Sequence, residues 1–323
     1  MSETRKLRIV LPGGNGQVGN ILARHFHAKG HSVVVLARKA YAAPWRVVQW
    51  GGVKLGDWAR ELENADVVVN LAGRNVNCRY TAAHRREIMD SRVLSTRALG
   101  EAIGGLSAPP RVWLNSSTAT IYRHAFDRPM DEATGEIGGN EPDAPRSWAF
   151  SIQVASAWEE AFFAANTPRT RKVALRSSVI LSPDRGGIFD VLLRLVRFGL
   201  GGASGSGKQF VSWIHGADFA GAVDFLIAHE EVSSVVNVAS PNPLANCDFM
   251  RGLREAWGAR IGLPASKWML EFGAVFMGTE TELVLKSRRV VPGLLLAGGY
   301  KFQFPEWPAA ARDLVRRWRD GVP

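Results

Sequence analysis

Apolar residues along this chain follow two rhythms: short unbroken aliphatic runs alternate with stretches where apolar positions recur every three or four residues. Leu7–Leu11 is the first run, closed by Pro12 and Gly13. It predicts a strand of a parallel sheet, because a strand covered on both faces loses the alternation of a half-buried one. Val18, Ile21, Leu22 and Phe26 follow at helical spacing and predict a helix from about Gly16 to Lys29, ended by Gly30. Ser32–Leu36 is a second aliphatic run. Strand, helix and strand make a βαβ unit, whose crossover is right-handed.

The alternation continues. Arg46–Trp50, Asp66–Leu71, Arg111–Asn115, Val173–Leu181 and Val235–Val238 read as strands. Trp58–Leu62, Thr81–Ile103, Trp148–Asn166 and Asp218–His229 read as helices, and Arg123–Pro145 as a surface loop. Beyond Pro183 the pattern changes to a Gly/Ser-rich loop over Gly199–Gly207. Helices follow over Asn246–Trp257, Ser266–Phe276, Glu280–Ser287 and Pro308–Trp318, with a short strand inside Leu294–Pro305. The fold class is α/β: a doubly wound parallel sheet of about seven strands with a smaller, mostly helical C-terminal lobe. The expected division is a core over residues 1–187, with a further strand near 235–238, and a substrate or lid lobe over 188–323.

Composition narrows the function classes. With 46% hydrophobic and 22% charged residues the chain is an ordinary globular one, and no apolar run is long enough to span a bilayer. Cys78 and Cys247 stand far apart in no metal-like spacing, which fits a reducing cytoplasm and no metal centre. The net charge of +10 invites a nucleic-acid reading. The basic residues are scattered in pairs, however, as at Arg85–Arg86, Arg288–Arg289 and Arg316–Arg317. A solvated basic surface that draws in anionic small molecules is the better reading, with neither nucleic acid nor membrane as partner.

Candidate chemistry sits at the strand ends. Gly13-Gly14-Asn15-Gly16-Gln17-Val18-Gly19 lies between the first strand and the first helix. Such glycines let the backbone approach a pyrophosphate at a helix N-terminus. The second strand ends in Ala37-Arg38-Lys39 with no acid, where an NAD binder usually places one for the ribose 2′-hydroxyl. Arg38 suits a 2′-phosphate, so NADP is preferred over NAD; a solvated basic loop is the alternative. Asn70-Leu71-Ala72-Gly73 offers a turn of small residues at the fourth strand's end, and Ser116-Ser117-Thr118 ends the next strand. A hydroxyl there serves either a substrate oxygen or a turn cap.

Together, Gly13–Gly19, Asn70–Gly73 and Ser116–Tyr122 resemble an extended short-chain dehydrogenase/reductase. Further strings resemble one atypical branch, known as epimerase family proteins, some of which carry a cell-division-inhibitor label. They are Asp90-Ser91-Arg92-Val93, Arg176–Pro183, Gly205–His215, Pro241-Asn242-Pro243 with Asn246 and Phe249, and Arg289–Pro292 with the Gly-Tyr-Lys-Phe stretch after it. The resemblance implies a Rossmann-type NADP-binding core: Gly13, Gly16, Gln17, Val18 and Gly19 on the pyrophosphate, Ala37, Arg38 and Lys39 at the 2′-phosphate, and Leu71, Ala72, Gly73 and Asn75 along the cofactor. It places Thr118 at the catalytic hydroxyl and Lys208 and Gln209 at an anionic, phosphorylated or nucleotide-linked substrate.

Two departures from the wider family stand out. The usual Tyr-x-x-x-Lys pair, a general acid/base with the lysine that tunes it, falls on Ser151 and Ala155. Arg74 stands where this branch often has Glu. Two function classes stay open: an NADP-dependent oxidoreductase or epimerase-like enzyme that retains Thr118, and a non-catalytic NADP(H)-binding sensor. His215 reads as a structural hydrogen-bonding residue or a proton carrier, Asp218 as a helix N-cap, and Asp131 and Glu132 as solvated loop acids.

Overall fold

The computed structural model describes residues 5–142, 144–266 and 282–323. Six strands and three helices alternate through its first part: β1 (Arg8–Pro12), α1 (Gln17–Ala28), β2 (Ser32–Ala37), β3 (Arg46–Gln49), β4 (Val67–Asn70), α2 (Ala82–Gly104), β5 (Val112–Thr118), α3 (Ala149–Phe163) and β6 (Arg171–Ser177). The second part contributes β7 (Val179–Leu181), α4 (Ile188–Arg197), β8 (Phe210–Val211), β9 (Trp213–His215), α5 (Gly216–Ala228), β10 (Ser234–Val238), β11 (Leu244–Ala245) and α6 (Asn246–Trp257). Among the described residues, three helices follow at Glu282–Leu285, Gly293–Ala297 and Trp307–Asp320.

The main sheet has seven strands in the order β10-β6-β5-β4-β1-β2-β3. Every pairing in it is parallel, with Ile9 opposite Val33 and Val67, and Leu114 opposite Val173. The order reverses direction between β1 and β4, the switch point at which ligands of Rossmann-type sheets lie. The unbroken apolar runs have a direct cause. Ile9, Leu11, Val33 and Val35 face Leu22 and Phe26 of α1 and Phe219, Val223 and Leu226 of α5. Their neighbours Val10, Val34, Leu36 and Val68 face Leu99 and Ile103 of α2 and Phe162 of α3. Each such side chain, fully buried, contributes about 1.5–3 kcal/mol.

A second core lies in the C-terminal part, where Phe189, Leu193, Trp213, Leu253 and Leu314 surround Phe249 stacked on Trp307. The Trp307 indole donates to Phe249 O at 2.7 Å, and that of Trp318 donates to Asp190 at 2.8 Å, which satisfies both buried polar tips. No helix among the described residues is long and apolar enough to cross a membrane.

Four expectations are corrected. The Val173–Leu181 run divides at Ser178: its amide bonds the last carbonyl of β10, and the chain then leaves the main sheet so that Val179 pairs with Trp213 of β9. Ile188–Arg197, left outside the expected elements, is a helix. Leu294–Pro305 holds no strand; Gly293–Ala297 coils into a helix, consistent with the helix preference of leucine and alanine. Asp218 does not cap α5. The His215 ring Nδ1 accepts from Ala217 N at 3.0 Å, while Asp218 accepts from Gln303 N and Phe304 N. The expected helix over Ser266–Phe276 lies outside the described residues apart from Ser266, and that over Glu280–Ser287 is described only as Glu282–Leu285.

Candidate functional site

The glycine loop joins β1 to α1 at the switch point. Gly13 has φ +74° and donates to Leu36 O at 2.8 Å; a Cβ there would lie 2.6 Å from the backbone of Ala72. A Cβ on Gly19 would lie 2.2 Å from Gly14 O. Both glycines are thus required by protein packed against protein. Gly16 differs: it precedes α1 and is exposed, and a Cβ there would meet nothing within 4 Å. Among the described residues no side chain caps α1 and no acid stands in its first turn, so its amides are free for an anion. Gln17 donates to Ser182 Oγ at 2.7 Å, Ser182 donates to Asp184 at 2.7 Å, and Arg24 pairs with Asp184 at 2.8 Å. Val18 packs into the core beneath.

Ala37 ends β2 buried, whereas Arg38 and Lys39 project exposed beside it. Among the described residues neither side chain has a hydrogen bond or ion pair. Leu71 N bonds Pro12 O, and Asn70 accepts from Ala72 N, so the turn after β4 is pinned beside the glycine loop. The Asp90-Ser91-Arg92 string explains itself here. Ser91 Oγ accepts from Arg74 N at 2.9 Å, and the Arg92 guanidinium donates to Arg74 O at 3.1 Å while lying 5.2 Å from the Trp158 ring. Burial lowers the Arg92 pKa to about 10. Gly73 leaves room for that guanidinium, which a Cβ would approach to 3.1 Å. Asn75 is exposed and accepts from Asn77 N, and Arg74 forms an ion pair with Glu87 that offsets its charge.

Thr118 ends β5. Its Oγ1 accepts from Thr120 N at 3.2 Å, so the oxygen caps a turn while the hydroxyl proton is left to donate elsewhere. Behind it Ser117 donates to Glu159, which grips Arg176 through two bonds of 2.8 and 2.7 Å. Arg176 donates to Tyr122 Oη, and Tyr122 donates to Asn237. Burial alone would lower the Arg176 pKa, but Glu159 holds it above its ordinary value. Glu132, expected as a solvated acid, is instead turned inward and accepts from Asn237 N at 2.8 Å and Leu294 N at 3.2 Å, which is how the loop after β5 anchors to β10.

The positions of the missing Tyr and Lys are filled. Ala155 is wholly buried against Ala119 and Ile121. Ser151 Oγ donates to Glu282 Oε2 at 2.6 Å. Lys286, also buried, donates to Thr120 O at 2.7 Å and stands 3.7 Å from Glu282 Oε1. Burial, with Arg288 adding to it and Glu282 and Glu141 opposing, lowers the Lys286 ammonium to about 8. Sequence reading missed this pair, because nothing local distinguishes Glu282 or Lys286 from a surface helix. Of the expected substrate residues, Lys208 is exposed on the glycine-rich loop. Gln209 is buried and its amide donates to Ser204 O and Val284 O.

The model of the NAD dependent epimerase/dehydratase family matches residues 9–239, and that of a domain of unknown function matches residues 265–314. The chain is 32% identical over 314 residues to the human epimerase family protein SDR39U1, covering 96% of this chain and 100% of that protein. A crystal structure of human SDR39U1 with NADPH superposes with a TM-score of 0.84 at 30% identity, covering 96% of this chain and 99% of that one. A nucleoside-diphosphate sugar epimerase from Corynebacterium glutamicum superposes with a TM-score of 0.74 at 28% identity, covering 96% of this chain and 58% of that one.

Proposed function

The chain belongs to the NAD dependent epimerase/dehydratase family, and from that premise we propose that it binds NADP(H) in preference to NAD(H) and acts at a carbonyl or alcohol carbon of a small anionic substrate. The observation that carries the reading is the end of β2: Arg38 and Lys39 extend without a protein partner among the described residues, and no acid stands there to hold a 2′-hydroxyl. The relative crystallised with NADPH supports the same preference. In this reading Gly16, Gln17, Val18 and Gly19 bring backbone amides to the pyrophosphate, while Gly13, whose own amide bonds Leu36 O, lets the loop pass close beside the turn after β4. Ala37, Arg38 and Lys39 hold the 2′-phosphate, and Leu71, Ala72, Gly73 and Asn75 line the path toward Thr118. Bound there, the dinucleotide supplies hydride exchange. Thr118 orients the reacting oxygen, and Lys208 on the glycine-rich loop meets the anionic end of the substrate. Residues 1–187 act as the cofactor-holding part and 188–323 as the part that shapes the substrate cleft.

A second reading, a cofactor-holding sensor without turnover, is favoured by Ser151 and Ala155 standing in place of the usual tyrosine and lysine. Calorimetry decides the cofactor question. NADPH is expected to bind at least ten times more tightly than NADH, and Arg38→Asp to remove that margin, since a hydrogen bond to a charged group contributes about 1.5–3 kcal/mol. Equal affinities for the two cofactors in the wild type would sink the reading.

A further inference from the structure

A half-buried hydroxyl and two buried charged groups converge where the usual acid/base pair is missing, and the two charged groups come from far along the chain. Ser151 lies in the first turn of α3, and the half of α3 that follows packs against the turn after Thr118 through Ile152, Ala155, Ala119 and Ile121. This is the carboxyl edge of β5, where ligands of open α/β sheets sit. Glu282 and Lys286 are one helical turn apart and only 2% exposed each. Glu282 places one carboxylate oxygen on the Ser151 hydroxyl at 2.6 Å and the other 3.7 Å from the Lys286 ammonium. Lys286 is moored to Thr120 O, two residues past Thr118. Burying an ammonium and a carboxylate costs several kcal/mol per ion unless pairing offsets it. Packing alone gives no reason to draw these two to a hydroxyl at the ligand edge rather than leave them in water.

We propose that Ser151, Glu282 and Lys286 form the proton-transfer chain of this site, taking a proton from a substrate alcohol or returning one to a substrate carbonyl. Ser151 is the group in reach of the substrate; Glu282 and Lys286 act through it. In the oxidising direction the carbon gives up a hydride to the nicotinamide and the alcohol O–H breaks. Its proton goes to Ser151 Oγ, the serine's own proton passes to Glu282 Oε2, and the carboxyl delivers a proton to neutral Lys286, which ends as the ammonium. In the reducing direction every transfer reverses and Lys286 ends neutral. The charged and titratable groups about Lys286 are Glu282 on its own helix, Arg288 just beyond it, and Glu141 on the loop after β5. His124, from the same loop, accepts from Ser287 N at 2.8 Å.

The proposal rests on the cofactor reading above, and the experiment keeps the two apart. Wild type, Lys286→Met, Lys286→Arg, Glu282→Gln and Ser151→Ala are compared in three measurements. NADPH binding is followed by fluorescence titration, and all five proteins are expected to bind alike; a wild type that does not bind overturns the cofactor reading instead. Stopped-flow reduction of 9,10-phenanthrenequinone by bound NADPH is followed from about pH 6 to about pH 10. The wild-type rate is expected to fall above about pH 8, where the ammonium is lost. The Met, Gln and Ala variants should lose about 10²-fold or more, the low end of positioned acid–base help. Lys286→Arg should stay folded and be slow, with no falling limb.

The third measurement needs no cofactor: thermal unfolding against pH. A lysine whose pKa is depressed in the folded state penalises folding below that pKa and is relieved as pH rises. The wild type should therefore gain stability relative to Lys286→Met between about pH 8 and 10. Full activity in Lys286→Arg, an unchanged pH limb in Lys286→Met, parallel unfolding curves, or an NADPH-bound wild type that leaves the quinone unreduced would each overturn the proposal.

Discussion

The Thr118 hydroxyl has two functions to divide. Its oxygen accepts from Thr120 N, and in the proposed reaction its proton serves the reacting oxygen. Thr118→Val removes both. Losing the cap should cost about 1 kcal/mol, visible as a small drop in unfolding temperature. Losing a donor aimed at developing negative charge should cost about 10²–10³-fold in turnover with NADPH affinity intact. Thr118→Ser should restore both properties, and a fully active valine variant would remove Thr118 from the reaction. Installing the usual pair through Ser151→Tyr with Ala155→Lys should not raise activity. Ala155 is wholly buried on Ala119 and Ile121, so a longer side chain overpacks that contact by about 1–3 kcal/mol before its charge is counted; a fall in unfolding temperature without a gain in quinone reduction is the expected outcome. At this scale the sequence shows Thr118 plainly, since a hydroxyl at a strand end is a local signal. It hides Lys286, whose place depends on contact with Thr120, 166 residues earlier.

Among the elements, the entry to α1 gives a test in which three glycines part company. Gly13→Ala and Gly19→Ala force a Cβ to 2.6 Å or less from backbone atoms, and Gly13 also has φ +74°. Both should lower the unfolding temperature without any ligand. Gly16→Ala meets open space and should fold as well as wild type, yet it should weaken NADPH by narrowing the approach to the α1 amides. Thermal scans with and without NADPH separate these outcomes; a Gly16→Ala protein that binds NADPH normally would move the pyrophosphate elsewhere. The seven-strand sheet was legible because buried parallel strands write themselves as unbroken apolar runs. Helix α4 was not, because much of its apolar stripe faces outward: Ile188, Val191 and Leu195 are all exposed. The cap of α5 was misread for a different reason. Asp218 is the commoner capping residue, but its carboxylate is taken by the amides of Gln303 and Phe304, and only tertiary contact reveals that.

For the molecule as a whole, acid and alkali act through different groups. His215 is buried 3.3 Å from Asp313 and under the Phe304 ring, and burial lowers its pKa from 6.5 to about 4 despite Asp313. A histidine kept neutral in the folded state stabilises above its unfolded pKa, and that contribution is lost as pH falls from about 6.5 toward about 4. Unfolding temperature should therefore drop across that window and drop less in His215→Asn, which retains an oxygen to cap α5; identical slopes would show that other groups govern acid unfolding. The same fold thus meets acid through a histidine under its C-terminal helix and alkali through Lys286. The reach of Lys286 has a further consequence, in time rather than in space. Glu282 closes a span of 131 residues to Ser151, and Lys286 one of 166 to Thr120. The residues proposed to cradle the dinucleotide all lie between Gly13 and Asn75. At about 5–20 residues per second, the cradle leaves the ribosome on the order of ten seconds or more before the lysine does. On the proposed reading, a newborn chain therefore carries its place for the nucleotide well before it carries the means to move a proton there, and reactivity arrives only once the segment with Glu282 and Lys286 has been made and docks.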